Sequence, residues 1–401
     1  MTRLPDAEWR SRPGLRRIVA ALGAGAAKIV GGAVRDTLLA APVTDVDLAT
    51  PLRPDEVTRR LEAAGIKVIP TGIAHGTVTA IASGDRHEIT TLRRDVTTDG
   101  RRATVAFADD WRDDAARRDF TINALYADPA TGTVDDWFGG LADLEAGCVR
   151  FIGDAATRIA EDHLRILRFY RFAARFGHGS LDPASHAAAV AARHSLKSLS
   201  RERIADELLK ILALPDPRAI VGRMAADGIF AEIVPELDPG FAAALDRLVD
   251  AEAATDAAPA PLRRLAALLP ADAATAEQVA SRLRLSKRQR GHLAALAAHR
   301  GDTARPARQL AHAVGIDAAR DIHLLAGTDP AAALRSLAGW TVPDLPLKGG
   351  DIVARGIAAG PQVARLLRAV EADWVAEDFP DAARVRDLLD QKIGSSSDRR
   401  Q

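Results

Sequence analysis

Apolar and polar positions alternate differently in two parts of the chain. Up to about residue 150, short apolar runs are separated by turn residues. Residues 28–30 read as a strand that ends at Gly31-Gly32, and residues 43–49, 78–82, 87–92 and 123–127 read as further strands. Asp128 to Gly132 forms a turn before a short strand at Val134. Residues 33–40 and 54–64 have helical spacing, the second with Pro54 in its first turn, where a missing N–H does no harm. From Ala155 the period changes. Residues 155–176 contain no Gly or Pro until Gly177 and predict one continuous helix. Residues 183–193 and 200–212 follow as helices, and Pro215-Asp216-Pro217 interrupts them. Nearly everything beyond reads as helices, with a linker at 257–261. The pattern predicts an α+β chain: a mixed-sheet domain at 1–150, a helical segment at 151–215, a further helical region at 216–394 and a disordered tail at 395–401.

Composition narrows the class. With 47% hydrophobic and 27% charged residues, the chain is globular. It has no apolar run long enough to cross a membrane, and its N-terminus lacks an apolar signal core, which points to the cytoplasm. The single cysteine, Cys148, excludes a disulfide framework and a cysteine-based zinc cluster. The net charge of zero, 54 basic against 54 acidic residues, would argue against a nucleic-acid partner, but a sum does not say where charges sit. Only seven of the basic residues are Lys. The Arg excess suits planar recognition of phosphates and bases.

Gly23-Ala-Gly25-Ala-Ala-Lys28 imitates a dinucleotide fingerprint, but its third glycine is Lys28 and it precedes a strand. A stronger pattern is Val30-Gly31-Gly32-Ala33-Val34-Arg35-Asp36 followed by Asp45-Val46-Asp47. Two glycines at a strand-to-helix junction let backbone approach a ligand and turn N–H groups toward an anion. Arg35, one turn inside the helix, is placed to pair with a phosphate. Asp45 and Asp47, two apart, share a strand face and suit Mg²⁺ with triphosphate oxygens completing its shell, unless they are solvated surface acids. Glu88 is a third strand acid: a further ligand, a general base or simply exposed.

GGAVRDTLL followed by DVD resembles the first motif of the polymerase-β-like nucleotidyltransferases, in their bacterial branch of tRNA nucleotidyltransferases and poly(A) polymerases. Arg117-Arg-Asp-Phe-Thr-Ile-Asn-Ala124 resembles the family's second motif, Asp135 to Leu144 its third, Glu161-Asp-His-Leu-Arg-Ile-Leu-Arg168 its fourth and the segment 200–212 its fifth. The similarity is dense over about the first 215 residues and weaker at Lys348-Gly-Gly-Asp351, Gly356 and Gly360-Pro361. It implies that Asp45 and Asp47 hold Mg²⁺ and carry catalysis, and that Gly32, Arg35 and Arg118 hold the triphosphate of CTP or ATP. Asp119 is expected to orient Arg118. Asp162 and Arg165 are implied to read the incoming base, with Arg168 and Arg171 serving the nucleotide site.

Physical chemistry supports the fourth motif's role. Cytosine and adenine present an amino donor beside a ring-nitrogen acceptor, whereas uracil and guanine present the reverse. A carboxylate only accepts and a guanidinium only donates, so an acid–Arg pair selects C and A without a template. Residues 162 and 165 are neighbours if one helix carries both; the alternative is a surface ion pair. Three-residue steps would turn Arg171 nearly opposite Asp162 on such a helix.

Between the family's branches, residues 71–78 lack the basic glycine-Arg-Arg segment of poly(A) polymerases. Residues 93–102 resemble the flexible loop of enzymes that add both C and A. C-C-A addition to tRNA is therefore expected, with A-only addition, a poly(A) polymerase or a non-catalytic nucleotide or RNA sensor as alternatives. No His-Asp dipeptide occurs, so an appended phosphohydrolase is not expected. The helical half, notably the basic run 282–290, is expected to contact tRNA through backbone shape. With zero net charge, salt dependence of tRNA affinity should be modest.

Overall fold

A computed structural model describes residues 2–73, 76–99, 102–177, 179–302, 304–326 and 330–398, with the backbone alone described at 95–99, 102–105 and 395–398. It divides into two units, Met1–Pro235 and Glu236–Gln401. The first begins with α1 (Pro13–Leu22), which buries Leu15, Ile18 and Leu22 at helical spacing. Next come β1 (Lys28–Val30), α2 (Gly32–Leu38), β2 (Asp47–Thr50), α3 (Pro54–Ala63), β3 (Lys67–Gly72), β4 (Thr77–Ala82) and β5 (Asp85–Thr91). β6 (Arg93–Asp99) and β7 (Arg102–Phe107) pair only with each other, then α4 (Trp111–Ala116), β8 (Tyr126–Ala127), β9 (Val134–Asp135) and α5 (Gly140–Glu145) follow. Seven strands form one mixed sheet in the order β3-β4-β5-β2-β1-β8-β9, with β2 parallel to β5. This is the mixed-sheet domain with helices that the sequence predicts.

Register decides which side chains meet. Val30 lies opposite both Asp47 and Tyr126, and Tyr126 lies opposite Asp135. Leu48 is beside Ile89, so one residue earlier Asp47 is beside Glu88. Paired residues point to the same side of a sheet. One face therefore carries Glu88, Asp47, Val30, Tyr126 and Asp135 in a row across five strands. The expected strand at 43–49 is shorter than predicted: it begins at Asp47, because the Val46 carbonyl bonds to the buried His87 side chain instead of a neighbouring strand. The expected strand at 123–127 shrinks to Tyr126–Ala127 after a 3-10 turn at Thr121–Asn123.

The remaining helices of the first unit are α6 (Ala155–Glu161), α7 (Arg165–Phe176), α8 (Pro183–Ala191), α9 (Arg201–Leu212), α10 (Arg218–Ala226) and α11 (Ile229–Ile233). The single helix expected over 155–176 is broken at Asp162, whose backbone is extended (φ −153°, ψ 104°). The Asp162 carboxylate accepts from Leu164 N at 3.1 Å and its carbonyl accepts from Arg165 N at 3.0 Å. Local bonding by an Asp side chain thus competes with the helix. α7 buries Phe169 and Phe172, which pack with Phe120 and Phe151 at centroid separations of 4.9–6.5 Å.

The second unit is helical among its described residues: α12 (Phe241–Ala254), α13 (Pro261–Leu268), α14 (Ala273–Arg282), α15 (Lys287–His299), α16 (Ala307–Val314), α17 (Ile316–Ala326), α18 (Pro330–Leu337), α19 (Gly349–Val353), α20 (Pro361–Ala376) and α21 (Ala382–Asp398). Helix α21 runs four residues into the tail expected to be disordered, since no proline interrupts it; residues 399–401 lie outside the described residues. Glu252 is buried and accepts from Arg263 on one carboxylate oxygen and from Arg264 on the other, at 2.6–2.9 Å. Removing one partner of a buried pair strands the other charge, which costs about 3–5 kcal/mol. Glu252→Ala should lower the stability of the second unit by that amount in urea denaturation, and a change under about 1 kcal/mol would contradict this.

Candidate active site

The site forms where β1 ends. Gly31 has φ 65°, a left-handed conformation that favours glycine, and a Cβ there would lie 3.2 Å from the Arg118 guanidinium. A Cβ on Gly32 would lie 3.7 Å from the Arg35 guanidinium. Two arginines therefore flank the glycine step that opens α2. Their roles differ. Arg118 reaches Tyr126 Oη at 2.9 Å and Asp114 at 3.3 Å and stays half-buried. Arg35 is 5% exposed, so it does not project toward an open phosphate site as predicted. Its Nε donates to Asp36 at 2.7 Å, another N–H donates to Asn123 Oδ1, and its guanidinium lies 4.2 Å from the Phe176 ring centroid. Burial pulls the Arg35 pKa down and Asp36 opposes that shift.

The carboxylates lie beside this step. Asp45 sits in the exposed segment before β2, with Thr44 Oγ1 donating to it at 3.1 Å. Asp47 opens β2 and neighbours Glu88. The two aspartates are thus held by one strand start rather than by a shared strand face. His87, which no sequence pattern singled out, fixes the peptide between them by donating from Nδ1 to Val46 O at 3.0 Å. Asp47 retains solvent access, yet the protein crowding around it raises its pKa; Glu88 and Asp45 raise it further and Arg118 opposes them. Like charges gathered at oxygen donors fit a hard cation such as Mg²⁺. Among the described residues no three His, Cys, Asp or Glu groups form a ready metal cluster.

The second motif anchors the site through buried acids. Asp114 is 1% exposed in its side chain and pairs with both Arg117, at 2.7 Å, and Arg118. Asp119 does not orient Arg118 as expected. It accepts from Arg168 at 2.5 and 2.8 Å, from Asn123 Nδ2 at 3.0 Å and from Phe120 N at 2.8 Å. Burial alone would raise the Asp119 pKa, but Arg168 and these donors hold it below the ordinary range. The third motif braces the second: Asp143 accepts from Thr121 at 2.6 Å, and a Cβ on Gly140 would meet Thr121 O at 2.3 Å.

The fourth motif departs from prediction. Asp162 and Arg165 are not paired. Asp162 accepts from Arg203 of α9 at 2.7 Å, while Arg165 donates to Glu161, to Arg158 O at 2.7 Å and to Arg117 O at 2.9 Å. The reason is the break at Asp162, which takes that residue off the helix carrying Arg165. Arg171 donates to buried Glu207 at 2.6 Å, and Arg168 lies 3.8 Å from the same carboxylate. Both guanidinium groups lie against Phe172, at 4.5 and 5.3 Å from its centroid. Arg203 and Glu207 lie in the fifth motif, and only their four-residue spacing hinted at a shared face. Two diagnostic segments are only partly described: residues 74–75 and 100–101 lie outside the described residues, and 93–107 otherwise form the β6–β7 pair.

Residues 27–150 match the family described as the poly A polymerase head domain, and residues 180–241 match the one described as "Probable RNA and SrmB- binding site of polymerase A". The mitochondrial CCA tRNA nucleotidyltransferase 1 of Mus musculus is 35% identical over 364 residues, 86% of this chain and 82% of that protein. A CCA-adding enzyme of Leuconostoc citreum is 42% identical over 211 residues, 52% of this chain and 50% of that protein. The crystal structure of the Bacillus stearothermophilus CCA-adding enzyme in complex with CTP superposes with a TM-score of 0.77 at 26% identity, covering 96% of this chain and all of that one.

Gly31→Ala tests the glycine step. A non-glycine residue there pays about 1–2 kcal/mol of left-handed strain and displaces Arg118. Affinity for inorganic tripolyphosphate should fall about tenfold with folding retained; unchanged affinity would contradict the assignment.

Proposed function

We propose, from the premise that this chain belongs to the family of CCA-adding tRNA nucleotidyltransferases, that it completes tRNA 3′ ends without a template, transferring C, C and A from CTP and ATP and releasing pyrophosphate. The observation that carries this is that the Gly31–Gly32 step lies against Arg118, and that Asp47 feels the charges of Asp45, Glu88 and the same Arg118. The chain has no helix among its described residues that is long and apolar enough to cross a membrane, and a cytoplasmic setting is part of the proposal.

The backbone N–H groups at the start of α2, that of Gly32 among them, and Arg118 hold the triphosphate, and Arg35 supports the glycine step from beneath as a buried positive charge. Asp45 and Asp47 would hold Mg²⁺, which when bound lowers the pKa of the attacking hydroxyl and stabilises charge on the leaving pyrophosphate. The Asp162 carboxylate accepts the amino group of C or A, and Arg165 donates to the ring nitrogen once its bonds to Glu161 and backbone are exchanged. Arg203 aims the Asp162 carboxylate, while Arg168 and Arg171 fix α7 beneath the base. Residues 1–150 act as the catalytic head, 151–215 as a base-selecting neck and 216–394 as a tRNA-binding body. A poly(A) polymerase and an A-only enzyme use the same chemistry, so product length and composition separate them.

Incubation with tRNA lacking its 3′ C-C-A, Mg²⁺ and each nucleotide should yield C-C-A. A long A tail would support a poly(A) polymerase, and no addition would support a sensor. Asp47→Ala should abolish addition while tRNA binding survives, and Asp162→Ala should blunt rejection of UTP. A carboxyl must lose its proton to hold a cation, and that of Asp47 keeps its proton to higher pH than an ordinary aspartate. As pH is lowered, Mg²⁺ affinity should therefore begin to fall above the range in which ordinary aspartates protonate. Normal turnover by Asp47→Ala, or unchanged base preference in Asp162→Ala, would overturn the respective assignment.

A further inference from the structure

The hydrogen bonds around α2 and α7 close into a ring. Arg168 of α7 donates to Asp119, Asp119 accepts from Asn123, and Asn123 accepts from Arg35 of α2. Arg35 donates to its neighbour Asp36, and Asp36 accepts on its other carboxylate oxygen from Arg175, back on α7, at 3.2 Å. Arg168 and Arg175 are seven residues apart, two helical turns, and so project from the same side of α7. Phe176 packs within the ring: Arg35 lies 4.2 Å and Arg175 4.8 Å from its centroid. Four ring members, Arg35, Asp36, Asp119 and Asn123, are 5–8% exposed, whereas the Arg175 side chain is 43% exposed. Arg175 is therefore the one arginine of the ring that can be altered without stranding a buried charge at its own position.

We propose that Arg175 is a positioning residue that ties α2, whose start holds the phosphates, to the far end of α7, whose first turn reads the base, so that a bound triphosphate presents its base at a fixed distance from Asp162 and Arg165. The physical need is plain. Phosphate and base are gripped by different elements, the first by the Gly31–Gly32 step and Arg118, the second by the Asp162 turn and α7. Selectivity by hydrogen bonds requires the two grips to keep one spacing, because a misplaced amino group or ring nitrogen forfeits the donor–acceptor match. Side-chain bonds from α2 fix α7 at two points, through Asp119 at Arg168 and through Asp36 at Arg175. With the second point lost, α7 can pivot about the first. Asp36 supplies both halves of the tie with one carboxylate, and Arg35 remains neutralised by Asp36 when Arg175 is removed.

The proposal rests on the assignment of the base to Asp162 and of the triphosphate to the glycine step. Its test compares two probes, inorganic tripolyphosphate, which has no base, and CTP, both measured by competition against nucleotide addition by the full-length enzyme. Arg175→Ala should leave tripolyphosphate affinity within about twofold of the parent while weakening CTP and lowering the C-over-U preference in kcat/KM about tenfold. Arg175→Lys, which keeps the charge, should restore most of that preference. A merely structural role would lower the unfolding temperature and weaken both probes together. Should Arg175→Ala fail to fold, Arg175→Gln is read by the same criteria. Equal loss of both probes, or unchanged C-over-U preference in the folded variants, would overturn the proposal. Asp162→Ala measured alongside separates the layers: if it too keeps base preference, the base-reading assignment itself fails, whereas if it loses preference and Arg175 variants do not, only the tie fails.

Discussion

The ion pair between buried Asp119 and Arg168 is the constraint from which the site follows. A carboxylate taken out of water must be matched, and Asp119 is matched by one guanidinium, one side-chain amide and one backbone N–H. That match joins the sheet-bound second motif to α7, 49 residues along the chain. Asn123, held by Asp119, reaches Arg35 beside Gly32, while Arg118, the residue before Asp119, lies against Gly31. The residues proposed to hold the phosphates and to read the base thus share one buried anchor.

Most of the fold was legible in the sequence because hydrophobic period and turn residues report it directly. The glycine step, the turn at 128–132 and the change to helices after Ala155 are local signals, and local signals survived folding. What was not legible depended on partners distant in sequence. The break at Asp162 depends on its own side chain bonding to Leu164 N and on Arg203, 41 residues away. A run without Gly or Pro carries no sign of it. Arg35 looked like a phosphate ligand because its spacing fitted; that Phe176 and Asn123 would bury it could not be read from its neighbours. His87 fixes the peptide between the two aspartates by register across β2 and β5, which no motif encodes. The family resemblance is shown by the relatives, while spacing misassigned the pairings within its motifs.

Zero net charge takes on a specific meaning in this arrangement. Several acids are occupied inside the protein, holding arginines in place: Asp114, Asp119, Asp36, Glu207 and Glu252 each carry at least one guanidinium. Neutrality here reflects paired charges that position donors. It does not indicate a surface indifferent to RNA. A rigid array of guanidinium groups, each held by a buried carboxylate, can discriminate bases because it loses little freedom when a nucleotide arrives.

The central claim is that a carboxylate accepting from the base's amino group selects the nucleotide. It is tested most directly with the triphosphate of 2-pyrimidinone riboside, a cytidine analogue that keeps the ring nitrogen but lacks the amino group. Its kcat/KM for addition to C-C-A-less tRNA is predicted to fall at least about a hundredfold below that of CTP, because the Asp162 acceptor then lacks the donor it selects for. Addition at a rate equal to that of CTP would contradict it.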